Sequence, residues 1–329
     1  MGAYVLRRLL LMIPTFVGIT FVTFAVMRLA PGDPLAMMAD PGSAGFSAEA
    51  RDALRSQLGL DRPIPEQYAR WFGRVVTLDF GRSSQDGRWV LTKIAEALPK
   101  TLLLSVLALL VSYLVAVPLG VFAAVRRGTV AERALTVGLF ALYSLPSFWV
   151  AVLLILLFCR AQTLDWFPMQ GLTSDDFDSL SAFAKLKDLV WHLILPVICL
   201  SYASLATVTR YLRAGMLEVI RQDFIRTARA KGLPERAVIF RHALRNSLIP
   251  IITLLGVTLP ALMGGSVVVE RIFGINGMGL LGLQAILSRD YPMVMGITTL
   301  VALLTMLCLL ASDLLYAAVD PRIGHAEPR

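Results

Sequence analysis

The sequence predicts an all-α membrane protein, a bundle of six transmembrane helices. Its 329 residues are 57% hydrophobic and only 16% charged, whereas a soluble domain carries about 25% charged residues. The mean hydropathy is +0.69. One ordinary core could not hide this much apolar surface from water. The composition therefore excludes a disordered chain, a disulfide scaffold and a cytosolic enzyme, and it makes lipid the main solvent.

Uncharged apolar runs in the sequence are long enough to cross a bilayer. A helix needs about 20 residues to span roughly 30 Å of hydrocarbon. Six runs meet this length, at residues 9–27, 101–125, 134–159, 189–209, 246–269 and 291–312. The first run follows Arg7 and Arg8 in the manner of a secretory signal. It is too long for one and lacks a small-residue cleavage pattern, so we expect an uncleaved span.

Basic residues in the connecting loops predict the orientation. Segments 126–133 and 210–245 hold three and nine basic residues against one and three acidic ones, whereas 160–188 holds three basic and five acidic residues. The basic loops and both termini are therefore expected in the cytoplasm. This asymmetry explains the net charge of +8 without a nucleic-acid partner. The predicted segments are a tail and first span (1–30), an extracytoplasmic segment (31–100), a five-span core (101–317) with the cytoplasmic loop 210–245, and a cytoplasmic tail (318–329).

The six runs contain no Asp or Glu, and His192 is their only group that titrates near neutral pH. Carriers driven by ion gradients usually need an intramembrane carboxylate, and channels often carry rings of charge. A gradient-driven carrier is therefore a disfavoured alternative. Scattered His and Cys residues likewise disfavour a membrane-embedded enzyme. We expect His192 to bond a lipid headgroup or a carbonyl at the interface rather than to line a pathway.

Prolines well inside five of the six runs predict bent helices, because proline removes a backbone donor. They are Pro14, Pro118, Pro146, Pro196, Pro250 and Pro260. Bent helices can enclose a cavity, although proline is also common in ordinary membrane helices. Hydroxyl groups flank one bend, which suits a substrate path or hydrogen bonds between helices. Ser144, Pro146 and Ser147 are therefore candidate pathway residues.

The cytoplasmic loop 210–245 carries the most specific local pattern. It predicts a short helix with Asp223 as its N-cap and Gly232 as the left-handed residue that ends it. Pro234 fits the first turn of a second helix that runs to about Arg245. The loop is therefore expected to form a helix, a sharp glycine corner and another helix.

Small and basic side chains surround this corner. Ala228 and Ala230 permit a close approach by another backbone. The basic donors around them are Arg226, Arg229, Arg236, Arg241 and Arg245. This pattern suits a grip by a partner protein, and it equally suits arginines that only meet lipid phosphates.

The chain carries no phosphate-binding P-loop of its own. Such a loop needs Gly-Lys followed by Ser or Thr, and none of the five lysines follows a glycine. Active transport would therefore need another protein to supply the energy.

The loop motif resembles a known family. Arg226-Thr-Ala-Arg-Ala-Lys-Gly232, followed by Arg241-His-Ala-Leu-Arg-Asn246 and Pro250, is similar to the coupling motif of permease subunits in bacterial ABC importers of the dipeptide, oligopeptide and nickel branch. Arg226 stands where other importer branches have an acidic residue, as it does in the peptide branch. Further matches are Pro31-Gly-Asp-Pro34, Leu58-Gly-Leu-Asp61, Asp79-Phe-Gly-Arg-Ser83, Arg289-Asp-Tyr-Pro292 and Asp320-Pro-Arg322.

The resemblance implies the type I importer fold in the bacterial inner membrane. It implies a complex with a second permease subunit, two ATPase subunits and an extracytoplasmic solute-binding protein, surrounded by lipid. ATP and Mg²⁺ would bind the ATPases, and this chain would hold no cofactor, metal or catalytic residue. The implied coupling residues are Asp223, Arg226, Thr227, Ala228, Arg229, Ala230 and Gly232.

The resemblance implies a dipeptide or oligopeptide as the transported solute. The short outer segment 160–188 weakens any transfer of substrate identity, so nickel, opines, glutathione-like peptides and antimicrobial peptides stay open. Outside the core, residues 65–75 predict an amphipathic helix whose apolar face holds Tyr68, Trp71, Phe72 and Val75. This helix would pack in an outer cap, lie on the membrane surface or dock the solute-binding protein.

Overall fold

The computed structural model describes residues 2–29, 61–160, 162–258 and 261–319, which are mostly helical. Several sequence predictions lie outside these ranges: the matches at residues 31–34, 58–60 and 320–322, the bend at Pro260, and the tail beyond residue 319. The main described helices are α1 (Gly2–Leu29), α2 (Ile64–Val76), α3 (Val90–Val125), α4 (Val130–Ser144), α5 (Ser147–Phe158), α6 (Ala182–Val219), α7 (Asp223–Ala230), α8 (Ile249–Thr258), α9 (Val267–Ile272), α10 (Met278–Leu287) and α11 (Tyr291–Val319).

The structure confirms a helical membrane bundle but not six spans. Within the described ranges, α1, α3, α6 and α11 are long and apolar enough to cross a membrane. The predicted span 134–159 is a pair of helices, α4 and α5, bent by 99°, and it adds a fifth span if the pair counts as one. The predicted span 246–269 is divided among α8, a short helix at Ala261–Gly264 and the start of α9.

Backbone chemistry explains where these two runs break. Leu145 lies between α4 and α5 with φ −80° and ψ 131°, because a residue before proline avoids the helical region. Pro146 then begins α5 as its N-cap. Ahead of α9, Gly265 has φ +68°, a left-handed conformation that glycine adopts without a Cβ clash.

The described residues form two compact units, and the first draws on Met1–Pro99 and Gly277–Arg329. In this unit α11 packs on α1 and α10, and α2 packs on α1. Trp71 and Val75 of α2 are buried, which confirms the predicted apolar face. The Tyr68 hydroxyl lies 3.0 Å from Thr20 Oγ1 of α1, and Trp71 stacks near Phe24 with ring centroids 5.8 Å apart. The aromatic face of α2 is therefore used within the chain.

Two matched sequence motifs of the first unit meet at a buried carboxylate. Asp290 is 2% exposed and accepts hydrogen bonds from the Ser83 hydroxyl and from the Ser84 N–H, the latter at 3.1 Å. The same carboxylate accepts from Met293 N–H at 3.2 Å and so caps the start of α11. Asp290 therefore ties the segment before α3 to the turn before α11.

The second unit, Lys100–Asn276, has two apolar clusters. One joins the C-terminal parts of α3 and α6 to the loop 210–245. The other joins α3, α5, α6 and α9. The approach of α3 and α6 is close, because a Cβ at Gly120 would lie 2.9 Å from Leu212 Cβ.

The helices of the second unit extend past the uncharged runs and bury carboxylates. Glu132 is 6% exposed, and its Oε1 lies 2.8 Å from Arg213 Nη2. Glu270 is 1% exposed and accepts a hydrogen bond from the Thr101 hydroxyl at 2.9 Å. The apolar runs themselves contain no Asp or Glu. The helices that overlap these runs do contain carboxylates, Glu132 in α4 and Glu270 in α9.

The expectation of a carbonyl partner for His192 is confirmed. Its Nδ1 lies 2.9 Å from the Asp188 carbonyl oxygen and 3.5 Å from a carboxylate oxygen of the same residue. The ring is 7% exposed, so it is packed within the second unit.

Candidate functional site

The short helix α7 begins one residue earlier than the sequence suggested. Gln222, with φ −74° and ψ 153°, holds the N-cap position, and Asp223 is the first helical residue. The prediction of Asp223 as N-cap is therefore wrong. A carboxylate in the first turn still favours the helix, because it faces the positive end of the helix dipole. Asp223 Oδ1 lies 3.2 Å from Arg226 Nη1, and its carbonyl accepts from the Thr227 hydroxyl at 3.0 Å.

The predicted glycine corner is confirmed. Gly232 has φ +76°. Its N–H donates to the Arg229 carbonyl at 2.9 Å, and the Leu233 N–H donates to the Ala228 carbonyl at 3.4 Å. These two bonds form a Schellman motif, which satisfies the last carbonyls of a helix and favours glycine at the left-handed position.

The segment after the corner continues as a helix with an unexpected middle. Pro234 is the N-cap of a short helix, Glu235–Ala237, and thus stands just before the first turn. Val238–Leu244 is π-helical, and Arg245–Ser247 returns to α-helical geometry. The helical path continues past the predicted end at about Arg245. The wider π-helical turns had no signal in the sequence.

An ion pair bridges the corner. Arg229 Nη2 lies 2.7 Å from Glu235 Oε1, and Arg229 Nε lies 3.1 Å from Oε2, a bidentate arrangement. The hydrogen bonds from Arg229 lower the pKa of the Glu235 carboxyl, and those to Glu235 raise the pKa of the Arg229 guanidinium. Arg229 is therefore already engaged inside the loop. We name the unit of α7, Gly232 and the segment Pro234–Ser247 the elbow.

One face of the elbow is part of the core of the second unit. Ile225 is fully buried and Ala228 is 6% exposed. They belong to one apolar cluster with Met216 of α6, Val121 of α3 and Val238 beyond the corner. Because α6 continues without a break to Val219, the elbow is packed directly on the end of a membrane-spanning helix. Such packing transmits displacement, since cores resist gradual deformation.

The opposite face of the elbow is exposed. It carries four exposed residues at helical spacing: Asp223, Arg226, Thr227 and Ala230. Gly232 is exposed at the corner. Two large apolar side chains accompany them, Phe224 at 40% and Leu233 at 39% exposure.

Sequence reasoning missed Phe224 and Leu233. The sequence feature that could have identified them is a large apolar residue among charged residues, in a loop predicted to lie in the cytoplasm. With them, the exposed face combines apolar and basic groups, a composition that suits a protein partner better than water alone.

The predicted pathway residues lie at the 99° corner between α4 and α5. Ser144, Pro146 and Ser147 are all exposed. The Ser144 hydroxyl donates to the carbonyl of Phe140 in its own helix at 2.9 Å. The Tyr202 hydroxyl of α6 donates to the Leu145 carbonyl at 2.7 Å, so the corner is held on α6 by its backbone.

Comparison with known proteins gives matches over nearly the whole chain. Residues 116–325 match the family described as "Binding-protein-dependent transport system inner membrane component", and residues 1–105 match "Binding-prot-dependent transport system membrane comp, N-term". The oligopeptide transport system permease protein AppB of Bacillus subtilis (strain 168) is 40% identical over 326 residues, covering 99% of this chain and all of the relative.

Two further relatives are similar over their full lengths. The dipeptide transport system permease protein DppB of Escherichia coli (strain K12) is 39% identical and covers 98% of this chain and 99% of the relative. The peptidoglycan transport system permease protein YejB of Agrobacterium fabrum (strain C58 / ATCC 33970) is 35% identical and covers 98% of each.

Proposed function

This chain belongs to the family of binding-protein-dependent transport system inner membrane components, and from that premise we propose that it passes dipeptides or oligopeptides across the bacterial inner membrane. It is a permease subunit of an ABC importer. The oligopeptide and dipeptide names of its relatives support a peptide substrate. The relative named for peptidoglycan transport keeps the class of peptide broad, and nickel, opines, glutathione-like and antimicrobial peptides are the alternative substrates.

The proposed complex contains a second permease, two ATPase subunits and an extracytoplasmic solute-binding protein. ATP and Mg²⁺ bind the ATPases, and this chain performs no catalysis. The absence of a Gly-Lys pair from the sequence supports this division of labour. In the six-span topology that the sequence predicts, the most basic loops, 126–133 and 210–245, lie on the same side as the termini, so we place both termini in the cytoplasm.

The proposed mechanism is alternating access driven through the elbow. The exposed face of α7 sits in a groove of an ATPase subunit, where Arg226 and Thr227 make polar contacts and Phe224 makes an apolar one. ATP-driven closure of the ATPase pair shifts α7. The shift passes to α6, because Ile225 and Ala228 share one buried cluster with its end. The main support for the proposal is that the elbow has one face buried against α6 and one face exposed.

Each predicted coupling residue has a distinct proposed role. Asp223 and Arg226 form an exposed pair at the start of α7, and Thr227 and Ala230 keep its contact face narrow. Ala228 anchors the buried face, Arg229 holds the corner through Glu235, and Gly232 makes the turn. Along the translocation path, the proposed residues are Ser144, Pro146 and Ser147.

Replacing the glycine of the corner tests the proposal. Gly232→Val puts a β-branched residue at φ +76°, where an L-residue costs roughly 1–2 kcal/mol and a β-branched one is a clear outlier. We expect the importer to assemble and hydrolyse ATP but to lose most peptide uptake, measured together in proteoliposomes with the binding protein. Gly128→Val is the matched control, since Gly128 has φ +81° and equally open space in another basic loop.

The comparison of the two variants is decisive for the elbow. Normal peptide uptake by Gly232→Val, or an equal loss with Gly128→Val, would contradict the coupling role. The solute is tested separately, by competing labelled dipeptide uptake with unlabelled dipeptide or with Ni²⁺. Only the dipeptide is expected to compete.

A further inference from the structure

A cavity of about 250 Å³ lies in the second unit, and one of its lining residues, Tyr143, comes just before the corner between α4 and α5. It is open on one side and lined by residues of α3, α4 and α6. Its apolar wall includes Leu135, Leu139 and Phe140 of α4, and its basic residues are Arg210 and Arg213 of α6. Ligand pockets for drug-sized molecules typically measure about 300–1,000 Å³. This cavity therefore suits one part of a ligand whose remainder lies outside.

The charge of the cavity is not balanced. Arg213 is matched by Glu132 at 2.8 Å. Glu132 also accepts from the Gly128 N–H at 3.3 Å and from the Thr136 hydroxyl at 3.2 Å. Arg210 lies 5.6 Å from the ring centroid of Phe140 and has no carboxylate partner in the described part of the chain. The cavity therefore presents one uncompensated positive charge.

A hydrogen-bond donor in the same place also lacks an acceptor. Arg213 Nε is buried and has no partner among the residues that the structure describes. Arg210 and Arg213 are three residues apart on α6, so they are neighbours on the helix surface. Buried donors are rarely left unsatisfied without a ligand, water or ion nearby. An acidic group is the ligand that two adjacent guanidinium groups favour.

The polar groups that line the cavity leave few hydrogen-bonding partners free for a peptide backbone. Of its three hydroxyls, Thr136 already donates to Glu132 at 3.2 Å and Thr209 donates to the Ala116 carbonyl at 3.5 Å. The third belongs to Tyr143, which is 53% exposed. A peptide backbone buried without partners costs free energy at every amide. A molecule with one anionic group and an apolar remainder has no such cost here.

The mouth of the cavity has the surroundings that an anionic lipid would meet. Phe140 and Tyr143 are half exposed, and Val137 beside them is 67% exposed, so an apolar chain can lie against them. The loop before α4 adds exposed Arg126 and Arg127. The distribution of basic residues predicts that this loop lies in the cytoplasm, where the leaflet carries anionic lipids.

We propose that this cavity binds an anionic phospholipid of the cytoplasmic leaflet, with its phosphate at Arg210 and the start of an acyl chain against Leu139 and Phe140. The site is independent of the transported solute. It places a lipid between α4 and α6, the helix that carries the elbow.

Lipid retention by the assembled importer tests the proposal. The complex is purified from membranes with phosphatidylglycerol, exchanged into phosphatidylcholine nanodiscs at high salt, and its retained phosphatidylglycerol is measured by mass spectrometry. Arg210→Gln removes the charge, and Leu139→Trp fills the apolar part without changing charge. Arg210→Gln is expected to lower retention by about fivefold, the factor given by roughly 1 kcal/mol per basic residue near an anionic surface. Leu139→Trp is expected to lower retention as well, because the indole ring occupies the space of the acyl chain.

Arg133→Gln is the charge-matched control, since it removes an exposed arginine of α4 that does not line the cavity. It is expected to retain phosphatidylglycerol as the parent does. Equal losses with Arg210→Gln and Arg133→Gln, with none for Leu139→Trp, would overturn the site in favour of diffuse surface attraction. Displacement of the lipid by a transported dipeptide would overturn it in favour of a substrate path. Complex assembly, measured by size-exclusion chromatography, shows that each variant is folded.

Discussion

At the scale of single residues, the packing of the first unit depends on a glycine, which has no side chain to separate two helices. A Cβ at Gly296 of α11 would lie 2.6 Å from Val90 Cγ1 and 3.3 Å from Phe80 Cβ. Val90 begins α3 and is fully buried. Two turns earlier, Asp290 binds Ser83 and Ser84. The start of α3 and the segment before it are therefore fixed on α11 by a close approach and a buried carboxylate.

Adding one methyl group at Gly296 should destabilise the protein. Gly296→Ala forces Val90 or the backbone to move, and overpacking of this kind typically costs about 1–3 kcal/mol. We expect a lower melting temperature of the purified chain in detergent. Gly282→Ala is the control, because a Cβ at Gly282 meets nothing within 4 Å, and alanine favours a helix over glycine by about 1 kcal/mol.

A rescue variant separates the contact from other effects of the mutation. Adding Val90→Ala to Gly296→Ala removes the methyl group that the new Cβ would meet, and it should recover part of the lost stability. If Gly296→Ala and Gly282→Ala have the same melting temperature, α3 and α11 do not approach each other closely at Gly296.

At the scale of elements, the elbow is a prefolded unit rather than an open loop. Its Schellman motif, its Arg229–Glu235 pair and its buried Ile225 are all satisfied within this chain. Preorganisation of this kind lowers the ordering cost of binding. A partner that binds the exposed face therefore meets a formed surface, whose buried side packs on the end of α6.

The partner of Arg229 distinguishes two roles for this residue. If Arg229 acts by holding the corner, Arg229→Gln and Glu235→Gln should lower the coupling of ATP hydrolysis to uptake by similar factors. If Arg229 instead contacts the ATPase directly, only Arg229→Gln should do so. We expect similar factors, because the guanidinium is already bound in bidentate fashion. The measurement is the ratio of peptide uptake to ATP hydrolysis in proteoliposomes.

The pH dependence of the corner follows from the lowered pKa of Glu235. A depressed carboxyl pKa adds stability above the ordinary glutamate value of about 4.3, and this stability is lost as the pH falls through the lowered pKa. The coupling ratio should therefore stay constant across the neutral range in the parent chain. A change there would show that another group controls the corner.

At the scale of the whole molecule, composition and periodicity predicted the class of fold but not every span. Runs at 9–27, 101–125, 189–209 and 291–312 became long helices, because lipid forces an isolated backbone to bond internally. The run 246–269 became several pieces. Hydropathy measures how strongly a segment prefers lipid, but it does not show whether the segment forms one continuous helix. It therefore could not locate the turn at Gly265.

The candidate site shows the same division. Local chemistry predicted the left-handed Gly232, since its cause lies within a few residues. The buried Glu132 and the inward-facing Ala228 depend on distant partners, Arg213 and the end of α3, which no local pattern specifies. The exposed Phe224 was visible in the sequence but became meaningful only once its neighbours Ile225 and Ala228 were seen to face inward.

The buried carboxylates bear on how the whole importer is powered. Glu132, Glu270 and Asp290 would each be a candidate proton carrier in a gradient-driven protein. In this structure each accepts hydrogen bonds from its own chain: Glu132 from Thr136, Glu270 from Thr101 and Asp290 from Ser83. Such bonds favour a structural role, with the energy supplied by partner subunits.

The source of energy can be tested on the reconstituted importer. We expect peptide accumulation to require ATP on the side of the ATPases and to be unchanged by a protonophore, because the proposed mechanism moves no proton through this chain. Glu270→Gln should lower the melting temperature of the complex and leave the protonophore response unaltered. Accumulation driven by an imposed pH gradient without nucleotide, and abolished by Glu270→Gln, would instead assign this carboxylate to ion coupling and the chain to the secondary carriers.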